Sequence, residues 1–95
     1  MTPEGKLKKA IKEYLDSIGA FWSMIPGGAY AKIGDPDMVV CYRGRYVAIE
    51  AKTPTGVQSE WQKTRQRQIE EAGGLYVLAR KLDDVKQAMA SLEDD

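Results

Sequence analysis

Two short apolar runs, Met38 to Tyr42 and Tyr46 to Ile49, are separated by Arg43-Gly44. Runs of this length and composition read as β-strands, and a short glycine-containing break between them reads as a hairpin turn. If Arg43-Gly44 is a two-residue loop, Tyr42 pairs with Arg45 and the whole register follows. Asp37 then lies directly opposite Glu50, with the two side chains on one face and roughly 5 Å apart at Cβ. Lys52, two residues beyond Glu50, points the same way because strand side chains alternate. Arg-Gly is not the strongest turn dipeptide, and a slip of one residue would carry Asp37 to the opposite face.

The hairpin thus brings two carboxylates and an amine to one point. Left alone, each carboxylate raises the pKa of the other. A divalent cation removes the conflict, and an oxygen-only donor set favours magnesium or manganese. The plainer alternative is a surface ion pair between Glu50 and Lys52, which contributes little to stability.

The remaining chain arranges itself around this hairpin. Thr2-Pro3 reads as a helix N-cap with proline at the first helical position. Leu7, Ala10, Ile11, Tyr14, Leu15 and Ile18 recur at helical spacing, and Gly19 stops the helix. Glu4 extends this apolar stripe, where a carboxylate also suits the positive end of the helix dipole. Lys6, Lys8, Lys9 and Lys12 cover other faces and are read as solvated. Ala20 to Ile25 is expected to be a first strand, followed by a loop from Pro26 to Lys32. Thr53-Pro54-Thr55-Gly56 ends the hairpin, since proline cannot continue a ladder. Ser59-Glu60-Trp61-Gln62 has the pattern of a capping box opening a second helix. Trp61, Ile69 and Ala72 are expected to face inward, and Lys63, Arg65 and Arg67 outward. Gly73-Gly74 ends this helix, and Leu75 to Ala79 reads as a buried strand. The strand–helix–strand unit so formed is expected to be a parallel crossover. Asp83 is expected to cap a last helix with Leu82, Val85, Met89 and Leu92 inward, fraying from Ser91 onward. The order is α-β-β-β-α-β-α, one mixed sheet flanked by helices.

Composition narrows the chemistry. The chain has 95 residues, which suits a single domain over 1–95 and makes association a reasonable expectation. Histidine is absent, which excludes His-based nucleophile activation and zinc fingers. The single cysteine, Cys41, forms no intrachain disulfide; within a strand it reads as a small buried residue. No signal peptide and no apolar run near ~18 residues is evident, so a cytoplasmic location is expected. Net charge is zero, but residues 43–67 carry an excess of four positive charges and residues 82–95 an excess of four negative ones. A basic segment bracketing the carboxylates suits a phosphodiester substrate; a solvated helix face with an acidic tail has the same composition.

Pro36-Asp37 followed at hairpin distance by Glu50-Ala51-Lys52 resembles the PD-(D/E)xK nucleases. Glu4, Gly19, Gly34-Asp35-Pro36-Asp37, Glu50-Ala51-Lys52-Thr53-Pro54, Gln62 and Ala72-Gly73-Gly74 together resemble the VRR-NUC (virus-type replication-repair nuclease) family, in its short stand-alone form. The resemblance implies a restriction-endonuclease-like αβββαβ core with an extra C-terminal helix. It implies Mg²⁺ or Mn²⁺ held by Asp37, Glu50 and the Ala51 carbonyl, with Glu4 reaching into the metal site. Asp37, Glu50, Lys52 and Gln62 are the implied catalytic set. The related motif Q-x-x-x-Y is incomplete, because position 66 is a glutamine. Lys32, with Tyr30, and Lys63, Arg65 and Arg67 are the candidate DNA contacts. The implied activity is structure-selective DNA cleavage, with four-way (Holliday) junctions resolved by a homodimer in bacterial or phage replication, recombination or repair. Trp22, Tyr30 and the Leu82–Leu92 helix are candidate dimer contacts. A flap, fork or non-specific DNA nuclease, a restriction-type or RNA-directed nuclease, and an inactive nucleic-acid-binding module remain the alternatives.

Overall fold

The computed structural model describes residues 1–26 and 34–93. Helix α1 spans Pro3–Ser17, strand β1 Phe21–Met24, β2 Met38–Tyr42 and β3 Arg45–Ala51. Helix α2 spans Glu60–Glu71, β4 Leu75–Ala79 and α3 Leu82–Glu93. The four strands form one sheet in the order β1-β2-β3-β4; β1, β2 and β3 are antiparallel neighbours, and β4 runs parallel to β3. The expected order of elements and the parallel crossover through α2 are both present.

The turn has the two-residue geometry that the register required. Tyr42 pairs with Arg45 and Met38 with Ile49. Arg43 and Gly44 both have positive φ, 52° and 77°. That is the backbone of a hairpin turn whose twist matches its strands. A side chain bearing a Cβ pays for the left-handed region, and Arg43 lies over the ring of Tyr42 at 5.6 Å.

Alternation along the strands sorts the two faces of the sheet. Met38, Val40 and Tyr42 of β2, Val47 and Ile49 of β3, and Val77 and Ala79 of β4 pack with Ile11 and Leu15 of α1. Val85, Met89 and Leu92 of α3 complete this core. Each large aliphatic side chain fully buried there contributes about 1.5–3 kcal/mol. Tyr42 closes one end by donating its hydroxyl to Glu93 Oε1 at 2.6 Å. The other face carries Asp37, Ala48, Glu50 and Tyr76 and is covered in part by α2, which has no fully buried residue.

Several expectations are corrected here. Cys41 is exposed, because it points away from the core on a part of the sheet that no described helix covers. Phe21, paired with Cys41, and Tyr46 are exposed on the same face. Trp61 is 59% exposed and Ala72 is exposed, so of the three residues expected inward on α2 only Ile69 is partly buried. The last helix begins at Leu82, ahead of Asp83; Asp84 instead accepts the backbone N–H groups of Arg80 and Lys81. It continues to Glu93, with Leu92 buried, rather than fraying from Ser91. Thr2 caps α1 and Ser59 caps α2 with a full capping box, as the sequence indicates. Among the described residues no helix is long and apolar enough to cross a membrane.

Gly34 ties the approach to β2 to the start of α2. Its φ is 86°, and a Cβ there would meet the Trp61 backbone at 2.5 Å. Gly19 has φ of 74° and open space around it. Gly34→Ala should therefore cost about 2 kcal/mol or more, through strain and overlap together. Gly19→Ala should cost only about 1 kcal/mol, from strain alone. Urea unfolding of the two variants measures the difference; equal losses would mean that the Gly34–Trp61 approach is not a constraint.

Candidate active site

Asp37 stands one residue before β2, at the open end of the hairpin near Glu50, and its backbone is held from both sides. Its N–H donates to Ile49 O at 3.0 Å, and its carbonyl accepts from Ile25 N at 2.9 Å. Its carboxylate Oδ2 accepts the Ala51 N–H at 2.8 Å. The N–H and C=O of a strand residue point to the same edge, so the Ala51 carbonyl lies on the Asp37 side of β3. The regular pairing ends at Met38 with Ile49, and the Asp37 N–H bond to that same Ile49 carbonyl is one step out of register, so these bonds rather than a further strand pair fix the aspartate.

Glu50 is the one buried charged residue among the described residues, at 3% exposure. Lys52 Nζ lies 3.7 Å from its Oε1. Gln62 Nε2 donates to the same oxygen. Gln62 Oε1 meanwhile accepts the Ser59 N–H at 2.9 Å, so this side chain caps α2 and reaches the site at once. Glu50 Oε2 is buried without a hydrogen-bond partner. Burial first, and the Asp37 charge after it, push the Glu50 carboxyl up to about 7 against the pull of Lys52.

Glu4 stands apart from this pair, reaching Asp37 through Lys8. Lys8 Nζ is 3.3 Å from Glu4 Oε1 and 3.3 Å from Asp37 Oδ1. Burial pulls the ammonium's pKa down, but Asp37 and Glu4 outweigh it and the net shift is upward. A polar pocket of about 360 Å³ opens beside Asp37, lined by Lys8, Asp35, Ser59 and Gln62 among others. Among the described residues no three His, Cys, Asp or Glu side chains cluster closely enough to hold a metal by themselves. The buried, unpartnered Glu50 Oε2 beside Asp37 is nevertheless the kind of acceptor a cation satisfies, and the donors are all oxygen. The residues present fit a hard divalent ion on that ground.

The expected DNA contacts divide. Lys32 and Tyr30 lie outside the described residues. Lys63 is exposed on α2 and pairs with Glu60 at 3.1 Å; Arg67 is exposed. Arg65 does not face outward as expected. Its Nε lies 3.4 Å from Asp35 Oδ1, and its side chain is largely covered. This direction follows from the helical step that turns position 65 toward the Gly34–Pro36 approach.

Four residues near the site were missed in the sequence. Lys8 was assigned to solvent, although it stands four residues after Glu4, the spacing of helical ion pairs. Arg80 donates through Nη1 to the carbonyls of Thr53, Pro54 and Gly56, at 2.8, 3.3 and 2.7 Å, and so pins the segment after Lys52. Nothing in the local sequence of Arg80 signals those partners. Gln58 Nε2 donates to Gln66 Oε1 at 3.0 Å and to the Tyr76 hydroxyl at 3.3 Å. Gln66 thus shares a network with the Tyr76 hydroxyl, which arrives from β4. Burial pushes the Tyr76 phenol up to about 12, so it remains a neutral hydroxyl.

The Glu50 shift has a consequence for stability. Its carboxyl titrates near 4.5 when free and near 7 in the fold. Between those values the folded chain holds more protons than the unfolded chain, so stability falls as pH rises through the window. With chelator present, the loss from pH 4.5 to pH 8 should be on the order of 2–3 kcal/mol. Glu50→Gln should flatten the slope. Urea midpoints across this range measure it, and an unchanged slope in Glu50→Gln would assign it to other groups.

No protein-family model matches the sequence, and no curated protein matches it. A solved structure described as a VRR_NUC domain is similar, with a TM-score of 0.81 at 20% sequence identity, over 95% of this chain and 97% of that one. The likeness of fold extends over almost the full length of both chains. The chain has the fold of a VRR_NUC domain, a restriction-endonuclease-like α/β core.

Proposed function

We propose that this chain is a divalent-metal-dependent endodeoxyribonuclease of the VRR-NUC, PD-(D/E)xK type. The observation that carries the reading is the meeting of Asp37 and Glu50 at the open end of the hairpin, where Asp37 Oδ2 accepts the Ala51 N–H, Glu50 Oε2 is buried and unpartnered, and Lys52 lies alongside. The fold shared with a VRR_NUC domain supports it. Asp37, Glu50 and the Ala51 carbonyl would hold Mg²⁺ or Mn²⁺, and Glu4 would join them directly or through water. Such an ion supplies an activated water near neutral pH and draws charge from phosphoryl oxygens.

The chain's own groups do the rest. Gln62 holds the Glu50 carboxylate in place while fixing the start of α2. Lys52 presents a compact ammonium beside the carboxylates, suited to orienting a nucleophile or neutralising charge as it grows on phosphorus. Exposed Lys63 and Arg67 on α2 are assigned to phosphates of the strand. Lys32 belongs to the same assignment by its place in the sequence.

The proposed substrate is branched DNA, with the four-way junction first. A twofold dimer would present two sites to two strands of a symmetric junction. Cleavage in replication, recombination or repair, in a bacterial cytoplasm or on phage DNA, is the setting such an activity suits. A second reading has its own observation. Glu4 is engaged by Lys8, and no three-carboxylate cluster forms among the described residues. That arrangement favours a module that binds nucleic acid without cutting it.

Asp37→Ala and Lys52→Ala should each lower magnesium-dependent cleavage about a hundredfold or more, with circular dichroism unchanged. Lys52→Ala at full turnover would remove the lysine from the chemistry. No nicking of plasmid by the intact chain would leave the binding module standing. Calcium should support DNA binding without cleavage, since its loose coordination aligns the nucleophile poorly. Sedimentation with a panel of duplex, flap, fork and four-way substrates tests the rest; a monomer that cuts all four equally ends the resolvase assignment.

A further inference from the structure

We infer that Lys8 is an internal counter-cation of the carboxylate site, competing with a divalent ion for Asp37 and released toward the substrate strand when that ion binds. The inference rests on the metal-site reading above and assigns a residue that reading does not use. Lys8 Nζ sits at the same distance, 3.3 Å, from Glu4 Oε1 and Asp37 Oδ1. It therefore bridges a helix carboxylate and a hairpin carboxylate. Asp37 Oδ2 accepts the Ala51 N–H, while Oδ1, the oxygen without that bond, faces Lys8.

One ammonium thus neutralises part of the charge that a divalent ion would neutralise. The two cannot share Asp37 Oδ1 without placing like charges within a few ångströms of each other. Binding of the ion must either displace Lys8 or work against it. The displaced amine has somewhere to go. It lines the polar pocket beside Asp37, together with Ser59 and Gln62, and a phosphate there would meet it. Glu4 would be freed in the same movement, which links the third carboxylate to the arrival of the ion.

The test is calcium binding by calorimetry, without DNA, to the full chain and to Lys8→Met and Lys8→Arg. Lys8→Met should bind calcium about three- to tenfold more tightly, from the loss of partly exposed ion pairs that oppose it. Lys8→Arg, which keeps the charge, should stay near the parent affinity. In chelator, Lys8→Met should melt below the parent and gain more on adding calcium. In saturating calcium, its affinity for a four-way junction should fall, because the released ammonium is gone. A purely structural lysine would lower the melting temperature without tightening calcium. Equal or weaker calcium binding by Lys8→Met overturns the inference and leaves the nuclease reading intact. Calcium binding to none of the three proteins overturns both.

Discussion

Asp37 and Glu50 meet because Arg43 and Gly44 both accept a left-handed backbone. That two-residue turn sets which residues of β2 and β3 face each other. A turn one residue longer would exchange the faces of one whole strand, placing Asp37 in the apolar core and Val40 outside it. The hydrophobic pattern resists the same slip, since Met38, Val40, Val47 and Ile49 are buried together. Turn geometry and core burial thus specify one register, and the site inherits it. The strain at Arg43 is small beside the aliphatic burial it makes possible.

The two faces of the sheet divide the work. One face holds the aliphatic core under α1 and α3, and the other holds the polar groups under α2. Glu50 is buried on the second face, where its Oε1 meets Gln62 and Lys52. Its raised pKa is first the cost of that burial, with the nearby Asp37 charge adding to it. Helix α2 covers the site with half-buried polar residues, which explains why it contributes no fully buried side chain.

The elements that could be read from the sequence are those set by local rules. The capping residues, the turn, the crossover and the aliphatic stripe of α3 each depend on a few neighbouring positions. That Asp37 and Glu50 come to the same end of the hairpin followed from turn length, but the bond from Asp37 N–H to Ile49 O, one step out of that register, did not. The misreadings have a different origin. Alternation tells which face a strand residue takes, but not whether anything covers that face, and so Cys41 was assigned to an interior that does not extend there. Trp61 and Ala72 were placed inward from their apolar character, although α2 packs through Thr64, Arg65 and Ile69 edges. Asp83 and Asp84 are both suitable at a helix start, and only the backbone around Arg80 and Lys81 selects the second. Lys8 was recoverable from its spacing to Glu4, while its contact with Asp37 depends on how α1 crosses the sheet end.

Arg80 joins parts of the chain that the sequence keeps far apart. Its guanidinium is satisfied by three main-chain oxygens of the segment following Lys52, and the Lys52 N–H bonds to Ala79 O at the same edge. Strand β3 is itself paired with β4 from Val47 to Ala51, and the Lys52 bond extends that seam, so β4 carries Glu50 and Lys52 together. A shift in how β4 seats would therefore move both of these side chains relative to Asp37, so drift far from the chemistry would be felt there as misalignment.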